Sequence, residues 1–263
     1  MPTYQVVDRV LPAGAGAATV TRNATDEAIA AIPSLLAWFD PSTTPPYVEG
    51  SSGPSFRLKD KRFGVLARAA VSNRPAASTI NEEPALSFGA DGTGVTSGTN
   101  GSVIMDDVLL LGSPDYTVAF GCEVLAAGAG YLIGTAVAAG TFGVNFDSMG
   151  RMSVGNNVEA GFTIRTPSGY RGQRLVGVLG YTAETGAMSL RINGATVGTA
   201  TTTLVPASRR LRLGGYGVPG TNSGTGVDLR MGQLLTFAAD LTAAGRGTQL
   251  GLVEGRLRGL YGV

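Results

Sequence analysis

The stretch Met188-Ser-Leu-Arg-Ile-Asn-Gly-Ala-Thr-Val-Gly-Thr-Ala-Thr201 decides the fold class. Met188, Leu190 and Ile192 recur at period two, which puts them on one face of a half-buried strand. Asn193-Gly194 follows at once, and both residue types accept positive φ, so the chain turns there as a hairpin. Residues 195–201 return alongside. A helix would need apolar residues three and four apart, and here they alternate.

The same pattern extends outward. Tyr116-Thr-Val-Ala-Phe-Gly-Cys-Glu-Val124 reads as a long buried strand, and Leu35-Leu-Ala-Trp-Phe39 as the first one. Further strands are expected at residues 85–88, within 105–111, at 151–154, 175–181, 210–213 and 229–237. Residues 124–146 carry no charge, but five glycines and the alternation Phe142-Gly-Val-Asn-Phe146 make them a hairpin rather than a membrane span. Asp147-Ser-Met-Gly150 and Glu184-Thr-Gly186 read as turns. At least ten short strands at close spacing predict an all-β sandwich.

Two segments read as helices. Thr25-Asp-Glu-Ala-Ile-Ala-Ala-Ile32 is a short helix with Thr25 as its cap and Pro33 as its stop. Leu250, Val253, Leu257 and Leu260 form one helical face near the C-terminus, with Thr242 as a candidate cap. Residues 1–34 read as an N-terminal arm and residues 35–263 as one domain. Tyr4, Val6, Val10, Ile29 and Ile32 are the arm's candidate assembly residues.

Composition limits the chemistry. The 263 residues include 40 Gly and 13 Pro, and only 15% are charged, against about 25% in typical globular chains. The net charge of +1 and the absence of long basic runs argue against nucleic acid. The small clusters at residues 57–62 and 209–212 read as solvated strand edges. There is no His, which removes imidazole bases and ligands. The single Cys122 allows no internal disulfide and reads as a buried strand thiol. The N-terminus lacks the charged-then-apolar pattern of a signal peptide.

Several motifs, in order, resemble the laminin-G-like branch of the concanavalin A-like superfamily. Leu36-Ala-Trp-Phe-Asp-Pro-Ser42, Leu58-Lys-Asp-Lys61, Arg74-Pro75 and Pro84-Ala-Leu-Ser-Phe-Gly-Ala-Asp-Gly92 resemble its opening strands and turns. Tyr116-Thr-Val-Ala-Phe120 and Leu190-Arg-Ile-Asn-Gly194 resemble central ones. Leu211-Arg-Leu-Gly-Gly215, Met231-Gly-Gln-Leu-Leu-Thr-Phe237 and Leu241-Thr-Ala-Ala244 with the last helix resemble its close. The resemblance covers about residues 35–263 and implies a two-sheet jelly-roll β-sandwich with a short N-terminal arm and a C-terminal helix. A Trp before Lys59 and paired acids after Asp91 are missing from the family's pattern, and the arm has no counterpart in it.

Enzyme chemistry finds little support. Relatives of this fold that hydrolyse glycosides carry Glu-x-Asp-x-x-Glu on one strand, with carboxylates about 5–9 Å apart across the bond. No such run occurs, and the adjacent pairs Glu82-Glu83 and Asp106-Asp107 point to opposite faces of an extended chain. Asp91 and Asp147 sit at loops and are candidate calcium ligands, weighed against the commoner use of Asp to close turns. Tyr216 and Asn222, in the Gly-rich segment 214–226, are candidate glycan contacts by stacking and amide hydrogen bonding, weighed against a plain connecting loop.

The expectation is therefore a non-enzymatic building block. Stand-alone laminin-G-like chains with a short arm resemble tailed-phage virion proteins: tail fibre, baseplate or capsid decoration. That resemblance implies assembly in the host cytoplasm and docking on other virion proteins through the arm. Self-association, as a trimer by analogy, and contact with a host-surface glycan are implied with it. Neither nucleic acid binding nor membrane insertion is expected. The alternative is a carbohydrate-binding module of a bacterial surface protein.

Overall fold

The computed structural model describes residues 23–42, 47–50, 53–59, 66–69, 75–88, 103–105, 115–125, 130–135, 143–155, 164–202, 211–214 and 228–263. Their strands, numbered along the chain, form two antiparallel sheets. The first runs β15 (Ala195–Thr201), β14 (Ala187–Ile192), β13 (Arg174–Thr182), β8 (Tyr116–Val124), β17 (Leu229–Phe237), β6 (Glu83–Phe88) and β5 (Ala76–Ile80), with β1 (Leu35–Phe39) also paired to β17. The second runs β12 (Ile164–Arg165), β11 (Met152–Gly155), β10 (Gly143–Phe146), β9 (Gly130–Thr135), β16 (Leu211–Leu213), β7 (Val103–Met105), β4 (Leu66–Ala69), β3 (Gly53–Lys59) and β2 (Tyr47–Gly50). The expected all-β two-sheet sandwich is what the chain forms.

The alternation read in the sequence becomes two cores. One lies between the sheets: Phe39, Val118, Phe120, Leu179, Tyr181 and Leu190 of the first sheet meet Ile133, Val144, Phe146, Val154 and Leu213 of the second. Gly177 lies opposite Phe120, where a Cβ would stand 2.4 Å from the ring, so only glycine admits that ring. The other core lies on the outer face of the first sheet. There Trp38, Ala119, Val176, Val178, Leu235 and Phe237 pack beneath two helices, α1 (Ala24–Ala30) and α2 (Gly247–Tyr261). The three nine-residue strands β8, β13 and β17 are thus covered on both faces, which is why their burial is nearly continuous.

The predicted turns hold. Asn193 and Gly194 take φ of 51° and 86° between β14 and β15, and the Asn193 side chain accepts the Val176 N–H at 2.7 Å. Met188, Leu190 and Ile192 all face the core. Cys122 is fully buried, and desolvation, helped by Glu123, pushes its thiol far above the ordinary range. β9 and β10 pair antiparallel, as the hairpin reading of residues 124–146 requires. No helix among the described residues is long and apolar enough to cross a membrane.

Three expectations need correction. The α1 cap is Asn23, whose Oδ1 accepts the Thr25 N–H at 2.9 Å; Thr25 lies inside the helix. Thr242 does not cap α2, which begins at Gly247; instead Thr242 donates N–H and O–H to Asp240. Ile29 and Ile32 are not docking residues, because both are buried in the outer core with Trp38 and Leu257. Asp26 also pairs with Arg256 of α2 at 2.6 Å. Apolar burial outweighs helix propensity here, and residues 23–34 are part of the packed fold rather than an arm.

Candidate functional site

The strongest concentration of exposed chemistry among the described residues is the turn between β10 and β11. Asp147 builds it. Its Oδ1 accepts the N–H groups of Met149 and Arg151 at 2.8 and 3.0 Å. Its Oδ2 accepts Nε of Arg151 at 2.7 Å and Nη2 of Arg165 at 2.6 Å. Gly150 closes the turn with φ of 75° and donates its N–H to the Asp147 carbonyl. Arg165 arrives from β12 because Ser153 and Arg165 are register partners across β11 and β12.

A second loop supports the turn from below. Buried Thr166 accepts the Met152 N–H through its hydroxyl and donates that hydroxyl to the Ser168 carbonyl. The Tyr170 N–H donates to the Gly150 carbonyl at 2.9 Å, and Tyr170 packs against the inter-sheet core. Gly169 passes so close that a Cβ there would lie 2.0 Å from the Met149 carbonyl oxygen. Arg171 donates Nη2 to the Ser148 carbonyl at 2.7 Å. The turn is therefore held by backbone contacts on its inner side and presents Met149 outward, 57% exposed.

Two guanidinium groups, of Arg151 and Arg165, hold one carboxylate, and a third, of Arg171, bonds the neighbouring Ser148 carbonyl, so the apex carries a net positive charge. The Arg165 side chain is 54% exposed and that of Asp147 only 18%. Burial works to raise the Asp147 pKa, but the N–H of Arg151, the side chains of Arg165 and Arg151 and the N–H of Met149 outweigh it. The carboxyl is held well below the usual carboxylate range, so it stays ionised and cannot serve as a proton donor near neutral pH.

A stability prediction follows from that sign. Because the folded value is depressed, the contribution of Asp147 is complete above about pH 4, its unfolded value, and is lost as pH falls through the folded value. Urea midpoints measured across the acid range should fall less steeply for Asp147→Asn than for the parent chain. Parallel slopes would show that the arginines do not stabilise the ionised form.

This geometry overturns the calcium reading at Asp147. Both its oxygens are occupied by N–H donors, two of them cationic, which is the reverse of an oxygen cage for a metal. Among the described residues no group of three or more Asp, Glu, Cys or His could hold a metal ion. Asp91, Tyr216, Asn222, Tyr4, Val6 and Val10 lie outside the described residues, as do Asp106 and Asp107. Glu82 sits with φ of 67° in the turn between β5 and β6, and Glu83 opens β6.

No protein-family model and no curated protein sequence matches this chain. Solved structures do. Trypanosoma rangeli sialidase in complex with sialic acid superposes with a TM-score of 0.60 at 15% identity, over 85% of this chain and 33% of that one. The binding domain of botulinum neurotoxin serotype D/C, strain VPI 5993, gives 0.59 at 14% identity, over 85% and 52%. The chain shares the β-sandwich fold of these structures. It spans about a third of the sialidase and about half of the toxin binding domain.

Proposed function

We propose that this chain is a non-enzymatic, lectin-like adhesion component of a tailed-phage virion, a tail-fibre, baseplate or capsid-decoration protein. The observation that carries the binding half is the β10–β11 apex: a braced turn holding three arginines and an exposed Met149 toward solvent. Its carboxylate is neutralised by arginine, so the apex suits recognition and not acid–base catalysis. The fold is one that a toxin binding domain also uses, which is compatible with adhesion. The virion half is supported by the motif order from Leu36 to the final helix. Docking then falls to the residues ahead of Asn23, because α1 belongs to the packed domain.

Virions labelled with an antibody to this chain and viewed by negative stain test the reading. Label at one fixed location, head or tail, is expected. Particles that carry no label would sink the virion assignment. Deleting residues 1–22 should leave a folded chain that no longer joins the particle, and full incorporation of that variant would remove the docking role.

A further inference from the structure

The apex points to its ligand by what it leaves unused. Arg151 spends Nε on Asp147 and keeps Nη1 and Nη2, an end-on pair that fits the two oxygens of a carboxylate. Arg165 spends Nη2 and Arg171 spends Nη2, and each keeps Nε and Nη1. None of these remaining donors bonds to a described residue. Folding does not require so many cations here. Asp147 is already satisfied by two backbone N–H groups and Arg151, and Arg165 adds a second guanidinium that is more than half exposed. An exposed ion pair of that kind contributes little to stability.

Gathering like charges costs free energy in the empty protein and is recovered when an anion arrives. Beside these donors stands Met149, the one large apolar side chain exposed among the described residues. A bare inorganic ion has no use for that neighbour. A sugar ring does, because its C–H face is apolar and its substituents are polar. We propose that the β10–β11 apex, formed by Met149, Arg151, Arg165 and Arg171, binds an acidic saccharide through its carboxylate. This rests on the adhesion reading for its biological role, though not on the virion assignment.

The test uses the full chain and two probes, an oligouronate and a sialylated trisaccharide. Each is paired with the same saccharide after its carboxyl groups have been reduced to alcohols, and inorganic sulfate is run alongside. Binding is followed by calorimetry and by saturation transfer to the sugar protons. At least one acidic probe should bind, with its reduced partner weaker by about tenfold or more, and affinity should fall between roughly 50 and 300 mM salt. The double variant Arg165→Gln/Arg171→Gln should lose about tenfold or more, whereas Arg246→Gln, at the far helix end, should bind like the parent.

Equal binding of acidic and reduced sugars would overturn the proposal, as would sulfate competing as tightly as the sugars. Failure of both acidic probes, or an unchanged double variant, would overturn it too. Thermal melts of each variant verify folding; Arg171→Gln, which loses one bond to a backbone carbonyl, repeats the test if the double variant melts early. Virion labelling decides the assembly role separately, so either reading can fail while the other stands.

Discussion

Tyr261→Ala is expected to lower stability by about 4 kcal/mol, the range of a large aromatic removed from a core. The ring of Tyr261, almost fully buried, lies over two glycines of adjacent strands. A Cβ at Gly121 of β8 would stand 2.0 Å from its Cε2, and one at Gly232 of β17 would stand 2.1 Å from its hydroxyl. The register of β17 against β8 shifts between Met231 and Leu234. Such an irregularity takes a backbone donor out of the ladder. The freed N–H of Gln233 donates to the Tyr261 hydroxyl at 2.6 Å. The side chain thus fills the slot that the glycines open and satisfies the donor that the bulge releases.

These parts can be measured separately. Tyr261→Phe keeps the ring and should cost about 1–2 kcal/mol for the stranded donor. Gly121→Ala should be strongly destabilising in the parent chain and much less so in Tyr261→Ala, because the methyl then enters vacant space. Urea unfolding followed by circular dichroism reads the parent and all four variants. Additive losses would show that ring and glycine do not oppose each other.

Glu254→Ala should cost about 2 kcal/mol, the cost of leaving one partner of a partly buried, charge-assisted pair behind. Glu254 is buried on the inner side of α2. Its two oxygens accept Nε and Nη2 of Arg191 at 2.6 and 3.1 Å, a side-on pair linking helix to strand β14. Arg191 also donates Nη2 to the Gly194 carbonyl and Nη1 to Thr196, so its position is fixed by the hairpin read first in the sequence. The hydrogen bonds that Arg191 donates to Glu254 outweigh desolvation and raise the Arg191 pKa further, which keeps the pair charged. Replacing both partners with Met and Leu should recover most of the loss, since burial then needs no compensation. If Glu254→Ala alone is neutral, the pair is not what anchors α2.

What the sequence disclosed divides along a physical line. Features set within a few residues were legible: the alternation of Met188, Leu190 and Ile192, the Asn193-Gly194 turn, the buried Cys122 and the apolar face of α2. Features set by distant pairing were not. Residues 76–80 are too small and polar to announce a strand, yet β5 forms because Asn81 and Glu82 turn the chain onto β6. Ile29 and Ile32 look like an exposed arm until α2 supplies the surface they cover. The candidate site shows this most clearly. Asp147 and Arg151 are four apart and visible as a pair, but Arg165 and Arg171 join them only through the β11–β12 register and the loop beneath. A list of loop carboxylates therefore suggested a cation, and the folded turn presents guanidinium groups instead.

The placement of β17 also bears on how the molecule is made. One edge of that strand pairs with β8, while its other edge meets β6 at its start and β1 at its end. Strands β1, β6 and β8 are synthesised long before it and share no other partner as central as this one. Until residues 229–237 emerge, β6 and β8 can pair only with β5 and β13, and the edges that β17 joins, with that of β1, stay open in the growing chain. Assembly is thus governed by contacts of large sequence separation, which close slowly and leave aggregation-prone intermediates. Yield in a cell should depend on the time the nascent chain spends before that strand is complete, and so on holding chaperones and temperature more than on the stability of the finished sandwich.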